Sequence, residues 1–166
     1  MIRVTVEQTV RCTPEAFLAL VMDPERYARV DAKLGRIDWV RHQENVTEFK
    51  FRSRLPGLPG PAPKVVSRMR LTPGEAVHVR YAPAPHNRLV RRVSTFAASF
   101  VCTSEDDDTT RVVRTIEMGF APPLRHLAEP VLRRTLRPDM EREIRGAKAL
   151  LEGADAPRKG RGERRD

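Results

Sequence analysis

Cysteine and aromatic residues are scarce in this sequence. It contains two cysteines, one tryptophan and two tyrosines among 166 residues, and aromatic residues make up 5%. Cys12 and Cys102 are far apart in the chain, with no second pair that would complete a metal site. Free cysteines usually behave as small hydrophobic residues. We therefore expect two buried or half-buried thiols.

The motifs of the common catalytic and nucleotide-binding chemistries are also missing. The four histidines, His42, His78, His86 and His126, share no metal-ligand spacing. The sequence has no GxSxG nucleophile elbow, no GxxxxGK[ST] phosphate loop and no GxGxxG dinucleotide motif. We therefore predict that the protein uses no metal and no cofactor.

Long hydrophobic runs are absent as well. No run approaches the roughly 20 apolar residues that a helix needs to cross a bilayer. The first ten residues, MIRVTVEQTV, alternate between apolar and polar side chains, unlike a signal peptide. These features predict a cytoplasmic protein. The length is typical of one domain, which we place at residues 1–152, followed by a basic, disordered tail at 153–166. The sequence is compatible with a monomer or a homodimer.

Acidic residues are outnumbered by basic ones. The chain has 31 Lys or Arg against 22 Asp or Glu, for a net charge of +9. A basic surface favours contact with nucleic acid or anionic membrane. The arginines are dispersed along the predicted strands, however, and are not interleaved with aromatic residues as in a stacking platform. A nucleic-acid partner is therefore not expected, and a macromolecular interaction module using the basic surface is retained as an alternative.

Alternating apolar and polar residues dominate the chain up to residue 120, a period typical of half-buried strands. Two short helices are predicted after the first strand, because Thr13-Pro14 and Asp23-Pro24 each combine a capping residue with a first-turn proline. Gly35 offers a stop for the second helix. No helical pattern interrupts the later segments, so the sheet is predicted to be antiparallel. The predicted strands are residues 2–11, 36–42, 45–54, 64–71, 76–82, 88–102 and 109–120.

After residue 120 the apolar residues follow the spacing of a helix. Pro130 and Pro138 each remove a backbone hydrogen bond, which predicts a bent or segmented helix. This long apolar stripe must be buried against another apolar surface, and the apolar face of the predicted sheet is the only one large enough. The stripe consists of Leu124, Leu127, Ala128, Val131, Leu132, Leu136, Met140, Ile144, Ala147 and Leu151.

This order of elements resembles the helix-grip fold of the START-like (SRPBCC) superfamily, often described as polyketide cyclase/dehydrase and lipid-transport-like proteins. The resemblance covers about residues 2–152. It implies an α+β fold in which a curved, seven-stranded antiparallel sheet surrounds the C-terminal helix, with an apolar cavity between them. The segments that carry it are VEQTVRCTPEAFLALVMDPERYARV, TTRVVRTIEM and PVLRRTLRPDMEREIRGAKALLE.

The inward positions of the strands and the helix predict which residues line such a cavity. For any one of them, ordinary core packing is the alternative. The mouth of the cavity is assigned to Leu55, Pro56, Leu58 and His126. The predicted ligand-binding residues are Trp39, Phe49, Phe51, Met69, Tyr81, Phe96, Phe100, Arg114, Ile116, Leu127 and Val131.

Two arginines fall on inward positions of the predicted strands. Keeping Phe96 and Phe100 inward also turns Arg92 inward, and keeping Ile116 inward does the same to Arg114. An inward arginine can receive a carboxylate or enolate of a ligand. A bulge, or a side chain that extends to the rim of the sheet, is the alternative.

The segment LPGLPGPAP, residues 55–63, separates the third and fourth predicted strands. A domain linker is disfavoured, because both flanking strands are needed to complete the sheet. Pro56 and Pro59 have the spacing of a proline motif that binds an aromatic groove, and this interpretation stays open. The prolines restrict the conformations of the loop, which favours a stiff lip at the mouth of the cavity.

These features favour binding of a hydrophobic small molecule, such as a lipid, an isoprenoid or an aromatic polyketide. The resemblance adds a polyketide cyclase, aromatase or dehydratase as the alternative. No catalytic set of that family can be matched residue by residue. Tyr81, Ser94, Arg114 and Glu117 are candidates by residue type only.

Overall fold

The computed structural model describes residues 1–154, and its element order confirms the predicted fold. Residues 155–166, most of the predicted disordered tail, lie outside the described residues. The last helix ends two residues beyond its predicted end at Glu152. The elements are β1 (Ile2–Val10), α1 (Pro14–Val21), α2 (Pro24–Tyr27), β2 (Leu34–Gln43), β3 (Val46–Ser53), β4 (Lys64–Thr72), β5 (Ala76–Tyr81), α3 (Val90–Val93), β6 (Ser94–Ser104), β7 (Thr110–Phe120) and α4 (Leu124–Ala154).

The seven strands form one curved antiparallel sheet in the order β1-β7-β6-β5-β4-β3-β2. Neighbouring hairpins build most of it, and β1 returns to pair with β7, with Val4 opposite Ile116. The long helix α4 packs across β1 and β7. The core therefore lies between the inner face of the sheet and α4. Among residues 1–154, no helix is long and apolar enough to cross a membrane.

The two short helices begin where the sequence predicts. The Thr13 hydroxyl accepts a hydrogen bond from the Ala16 amide, and the Asp23 carboxylate accepts one from the Arg26 amide. The second helix is shorter than predicted, because it ends at Tyr27 and Gly35 lies in β2. A Cβ at Gly35 would come within 2.6 Å of the Arg52 carbonyl oxygen, so glycine serves close strand packing here instead of a helix stop.

A bent or segmented helix was predicted at Pro130 and Pro138; helix α4 is continuous through both prolines, so the segmented alternative is wrong. Pro130 and Pro138 are exposed, whereas Leu132, Leu136 and Met140 are fully buried against the sheet. The packing of this buried stripe holds the helix together across the two missing hydrogen bonds, which fall on its exposed side.

The strand predicted from residue 88 begins only at Ser94, after the short helix α3. The Asn87 side chain holds the preceding loop, since its amide nitrogen donates to the Val66 and Ala82 carbonyls and its oxygen accepts from the Val66 amide. Arg92 therefore lies in a helix and is exposed, and its predicted inward position is wrong.

A β-bulge in β2 changes the predicted position of Trp39. Ile37 is opposite Phe51, but Trp39 is opposite Lys50, so the alternation shifts by one residue between them. Trp39 consequently lies on the outer face of the sheet, with the Arg41 guanidinium 4.6 Å from its ring centre. It does not line the cavity, contrary to the prediction.

Candidate functional site

A cavity lies on the inner face of the sheet, and it has two connected parts. Helices α1 and α2 and the turn after them close the inner part, and α4 contributes only Leu124, to the outer part. The predicted position between sheet and α4 is therefore wrong for the inner part. The inner chamber has a volume of about 70 Å³ and the outer funnel, which opens to solvent, about 730 Å³. A volume of about 10–15 Å³ admits one water molecule on this measure, so the inner chamber holds only a few. The parts meet at Ser53, Leu55, Val65, Tyr81 and Met118, which line both.

Most of the predicted ligand-binding side chains face the inner chamber. The alternation of β3 to β7 places them there, because every second residue of a strand points to the same face. Several are aromatic and in mutual contact, as in the stacked rings of Phe49 and Phe51 at 5.0 Å. The predicted residues that line the inner chamber are Phe49, Phe51, Met69, Tyr81, Phe96, Phe100, Arg114 and Ile116.

Two predicted residues of α4 do not line the cavity. Leu127 is 71% exposed, while its neighbour Ala128 is buried. The buried stripe of the helix runs through Ala128 and Leu132, and Leu127 lies about 100° away from it. Val131 is half-buried and touches the loop between β3 and β4 instead of the chamber.

The loop after β3, residues 54–63, lies at the mouth of the cavity, where a lip was predicted. Leu55 and Leu58 line the funnel and pack on the core. The Pro56 carbonyl accepts a hydrogen bond of 2.7 Å from the Thr135 hydroxyl of α4. Gly57, at φ 77°, sits so close to α4 that a Cβ there would come within 2.9 Å of Thr135.

The predicted mouth residue His126 lies outside the cavity. Its side chain is exposed and lines neither the inner chamber nor the funnel. It occupies the first turn of α4, whose residue Leu124 lines the funnel instead. The Pro56 side chain likewise lines neither part, so Pro56 contributes to the mouth through its carbonyl alone.

A buried charged cluster borders the inner chamber, and four of its six members line it, namely Tyr27, Asp31, Lys33 and Arg114. We use this name for Tyr27, Asp31, Lys33, Arg114, Asp139 and Glu143, all of them buried. Arg114 points inward from β7, as predicted, and its Nε donates to Glu143 at 3.1 Å. Its guanidinium carbon lies 4.1 Å from the ring centre of Phe100. The Tyr27 hydroxyl donates to the same Glu143 oxygen at 2.7 Å.

Lys33 is the centre of the charged cluster. Its ammonium nitrogen lies 2.8 Å from Asp31, 2.7 Å from Asp139 and 2.6 Å from Glu143. The turn after α2 places it there, because the Asp31 carboxylate accepts from the Lys33 amide at 3.0 Å. Asp139 and Glu143 are four residues apart on α4 and therefore share one face. The cluster thus joins the turn, the sheet and α4.

The carboxylates of the charged cluster have different pKa values. Burial, helped by the nearby Glu143, raises the pKa of Asp31 to about 6. Burial opposes ionisation of Glu143 too, but the Arg114 and Lys33 cations outweigh it and hold the pKa of Glu143 below its ordinary value. Burial also opposes the charge of Lys33, and the Asp31 and Glu143 carboxylates more than offset this, so its pKa lies above the usual range.

Three carboxylates of the charged cluster have the spacing of a cation site. Oxygens of Asp31, Asp139 and Glu143 lie within 4.8 Å of one another. The Lys33 ammonium contacts all three at 2.6–2.8 Å and so supplies the positive charge at this place. The three carboxylates are therefore neutralised by the Lys33 side chain.

Uncharged polar side chains also line the cavity, among them Ser67 and Tyr81. The Ser67 side chain of β4 lines the inner chamber. The Tyr81 hydroxyl, where chamber and funnel meet, lies 3.1 Å from the Ser94 hydroxyl. Burial raises the pKa of Tyr81, so its hydroxyl stays protonated at neutral pH. These groups are suited to orient a ligand by hydrogen bonds.

The sequence reasoning missed most of the charged cluster. Only Arg114 was singled out, because strand alternation turns it inward. The helical period contained a signal for Glu143, which lies three residues after Met140 and seven after Leu136 on the buried stripe. No period marks Asp31 and Lys33, since they lie in a turn whose position depends on tertiary contacts.

The fold is shared with solved structures of low sequence identity. A protein of Thermus thermophilus has a TM-score of 0.73 at 14% identity, covering 93% of this chain and all of its own. The Zhui aromatase/cyclase of Streptomyces sp. R1128 has a TM-score of 0.70 at 14% identity, and the match covers 94% of this chain and 99% of the aromatase/cyclase. A START superfamily protein of Mycobacterium smegmatis has a TM-score of 0.62 at 13% identity, and the match covers 90% of this chain and 98% of the other. A search of curated proteins finds no match.

The family assignment rests on a match along nearly the whole described chain. The model of the family "Polyketide cyclase / dehydrase and lipid transport" matches residues 1–152. These residues include the sheet, α4, the lip and every member of the charged cluster. The predicted START-like resemblance is therefore confirmed, and the chain belongs to the polyketide cyclase/dehydrase and lipid transport family.

Proposed function

We propose that the protein binds a hydrophobic small molecule, such as a lipid, an isoprenoid or an aromatic polyketide, in the cavity on the inner face of the sheet. The observation that carries the proposal is a mostly apolar inner chamber that continues into an open funnel. The funnel, at about 730 Å³, has the size of a small-molecule site. The membership in a family that includes lipid transport agrees with this function.

The two volumes indicate how such a ligand lies. The inner chamber, at about 70 Å³, takes only a narrow end of the molecule, such as one ring or the tip of a chain. The bulk therefore lies in the funnel, against Leu55, Leu58 and Phe120. A ligand in the funnel removes these side chains from water, and each Å² of apolar surface buried stabilises the complex by about 25 cal/mol.

Polar anchoring is assigned to Ser67 and Tyr81. The Ser67 side chain lines the inner chamber, and its hydroxyl can donate a hydrogen bond. Arg114 is less suited than the sequence predicted, because its Nε already donates to Glu143 and its Nη1 to the Thr115 carbonyl. A ligand carbonyl or hydroxyl at the inner end would accept the bond that Ser67 can donate.

Native mass spectrometry of the protein purified from its own host tests this proposal. We expect a co-purifying apolar molecule, and a broad lipophilic panel that raises the melting temperature through preferential binding to the folded state. Repeated preparations without a bound species, together with a panel that gives no thermal shift, would contradict it.

A matched pair of variants locates the binding site. Val65 lines both parts of the cavity and is 3% exposed, whereas Val101 is 40% exposed and lines neither. Val65→Phe narrows the passage between chamber and funnel, so it should abolish the thermal shift. Val101→Phe adds the same atoms outside and should preserve it. Equal shifts in both variants would place the ligand elsewhere.

A polyketide cyclase, aromatase or dehydratase is the second candidate function. It is favoured by the protonated Tyr81 hydroxyl beside Ser94, which can donate to an enolate or carbonyl oxygen in the cavity. Tyr81→Phe removes this donor. A catalyst should then lose turnover of a poly-β-ketone substrate while retaining its binding, whereas a carrier shows no turnover in either protein.

A further inference from the structure

The rim of the funnel exposes large apolar side chains, which folded proteins usually leave uncovered only singly. Six such side chains are exposed among the described residues, and four of them belong to this rim. Val93 and Leu124 line the funnel, Leu89 precedes α3 by one residue, and Leu127 lies one turn after Leu124. Leu89 and Leu127 are the most prominent, at 76% and 71% exposure.

The same rim is strongly basic. The segments that form it, residues 52–63, 82–94 and 120–128, contain no aspartate or glutamate. The nearest carboxylate, Glu129, is already paired with the N-terminal amine at 2.9 Å and with two arginines at 3.5–3.8 Å. The arginines of the three segments are Arg52, Arg54, Arg88, Arg91, Arg92 and Arg125.

The arginines and the apolar side chains are interleaved around one opening. A shallow groove joins the funnel at Val93, Ser94 and Phe120. Its charged lining consists of Arg91, Arg92, Arg125, the N-terminal residue Met1 and the paired carboxylate of Glu129. A partner must therefore offer negative charge and an apolar phase side by side. An anionic bilayer supplies both, since basic side chains contact its head groups while leucines enter the acyl boundary.

We propose that this rim docks on anionic lipid membranes, with Leu89 and Leu127 inserted at the acyl boundary and Arg91 and Arg92 on the head groups. The funnel then opens directly onto the bilayer. An acidic peptide or protein surface without apolar side chains would satisfy the arginines but would leave two leucines, each more than 70% exposed, without an apolar partner. The docking inference does not depend on which molecule the cavity holds.

Vesicle flotation of the full chain tests the docking, with phosphatidylcholine vesicles that contain or lack phosphatidylglycerol. We expect binding to the anionic vesicles alone. Arg91→Gln combined with Arg92→Gln should lower the apparent affinity about thirty-fold, since each basic side chain near an anionic surface contributes a factor of about five. Leu89→Ser combined with Leu127→Ser should lower it about ten-fold or more.

Matched controls separate the rim from the overall charge. Arg29→Gln combined with Arg70→Gln removes the same charge from exposed positions away from the rim, and Val101→Ser removes an exposed apolar side chain from the outer face. These controls should float like the unmodified protein. Equal losses in rim and control variants would overturn the proposal, as would equal binding to neutral vesicles. Failure to bind any vesicle while binding polyglutamate through the rim would also overturn it, in favour of an acidic protein partner.

Discussion

The inner chamber and the mouth of the cavity differ in how their side chains are held. At the inner chamber, three carboxylates, two cations and a tyrosine hydroxyl bond to one another, and Lys33 alone contacts three acids. At the mouth, the lip of residues 54–63 is tied to α4 by the Thr135 hydroxyl, and leucines are exposed. We infer that the side chains around the inner chamber are held rigidly, whereas the mouth can change conformation at a low cost in free energy.

This difference separates stability from ligand exchange along one cavity. A buried ion pair is strongly destabilising when one partner is removed, because the other charge is left uncompensated. A loop with few hydrogen bonds opens at much lower free energy than the core. Substitutions in the charged cluster should therefore act on unfolding, and substitutions at the mouth on the rates of ligand entry and exit.

The largest loss of stability is expected from Glu143→Ala, at the charged cluster. The change leaves Lys33, Arg114 and Tyr27 without their shared acceptor, and removal of one partner of a buried ion pair costs about 3–5 kcal/mol. Urea denaturation measures the loss. Glu141→Ala, at an exposed position of the same helix, should stay within about 0.5 kcal/mol of the unmodified protein. Equal losses of stability in Glu143→Ala and Glu141→Ala would show that the cluster does not stabilise the fold.

The second largest effect is a pH dependence of the free energy of unfolding, which originates at Asp31. Its pKa is raised from 3.8 to about 6 in the folded protein, so its contribution to stability is present below about pH 4 and lost as the pH rises through about 6. Asp31→Asn cannot titrate. The free energy of unfolding of the unmodified protein should therefore fall relative to the variant, by on the order of 2 kcal/mol, across this window. A constant difference between the two from pH 4 to pH 7 would contradict the raised pKa.

The third and smallest effect on stability belongs to the mouth. Thr135→Val keeps the shape of the side chain but removes the hydrogen bond to the Pro56 carbonyl, at a cost of about 1 kcal/mol. We expect ligand dissociation, followed by stopped-flow fluorescence, to become faster by more than the change in stability accounts for. Thr103→Val, at an exposed position of β6, is the control and should leave the rate unchanged. Unaltered exchange in Thr135→Val would show that the lip does not gate the cavity.

The fold could be predicted from the sequence because its signals are local and repeated. Strand alternation, the two capped prolines and the change to a helical period each depend on neighbouring residues. The failures occur where one residue breaks the period. The bulge in β2 turns Trp39 outward, and the turn held by Asn87 converts the predicted start of β6 into a helix.

The candidate site was predictable only in part, for a different reason. The apolar wall follows from strand alternation, so residues such as Phe49 and Ile116 were identified. The charged cluster joins residues more than 100 positions apart, as Lys33 and Asp139 are, and no local pattern contains such a pair. Leu127 was misplaced because the buried stripe of α4 runs through Ala128 and Leu132, about 100° around the helix from Leu127.

Methyl NMR of the methionines tests the central claim most directly, with 1-anilinonaphthalene-8-sulfonate as the apolar probe. Met69 and Met118 line the inner chamber, whereas Met140 is fully buried in the core and lines neither part of the cavity. Entry of the probe into the cavity should shift the Met69 and Met118 resonances and leave that of Met140 in place. Binding of the probe without a shift at Met69 and Met118 would contradict a cavity that receives apolar ligands.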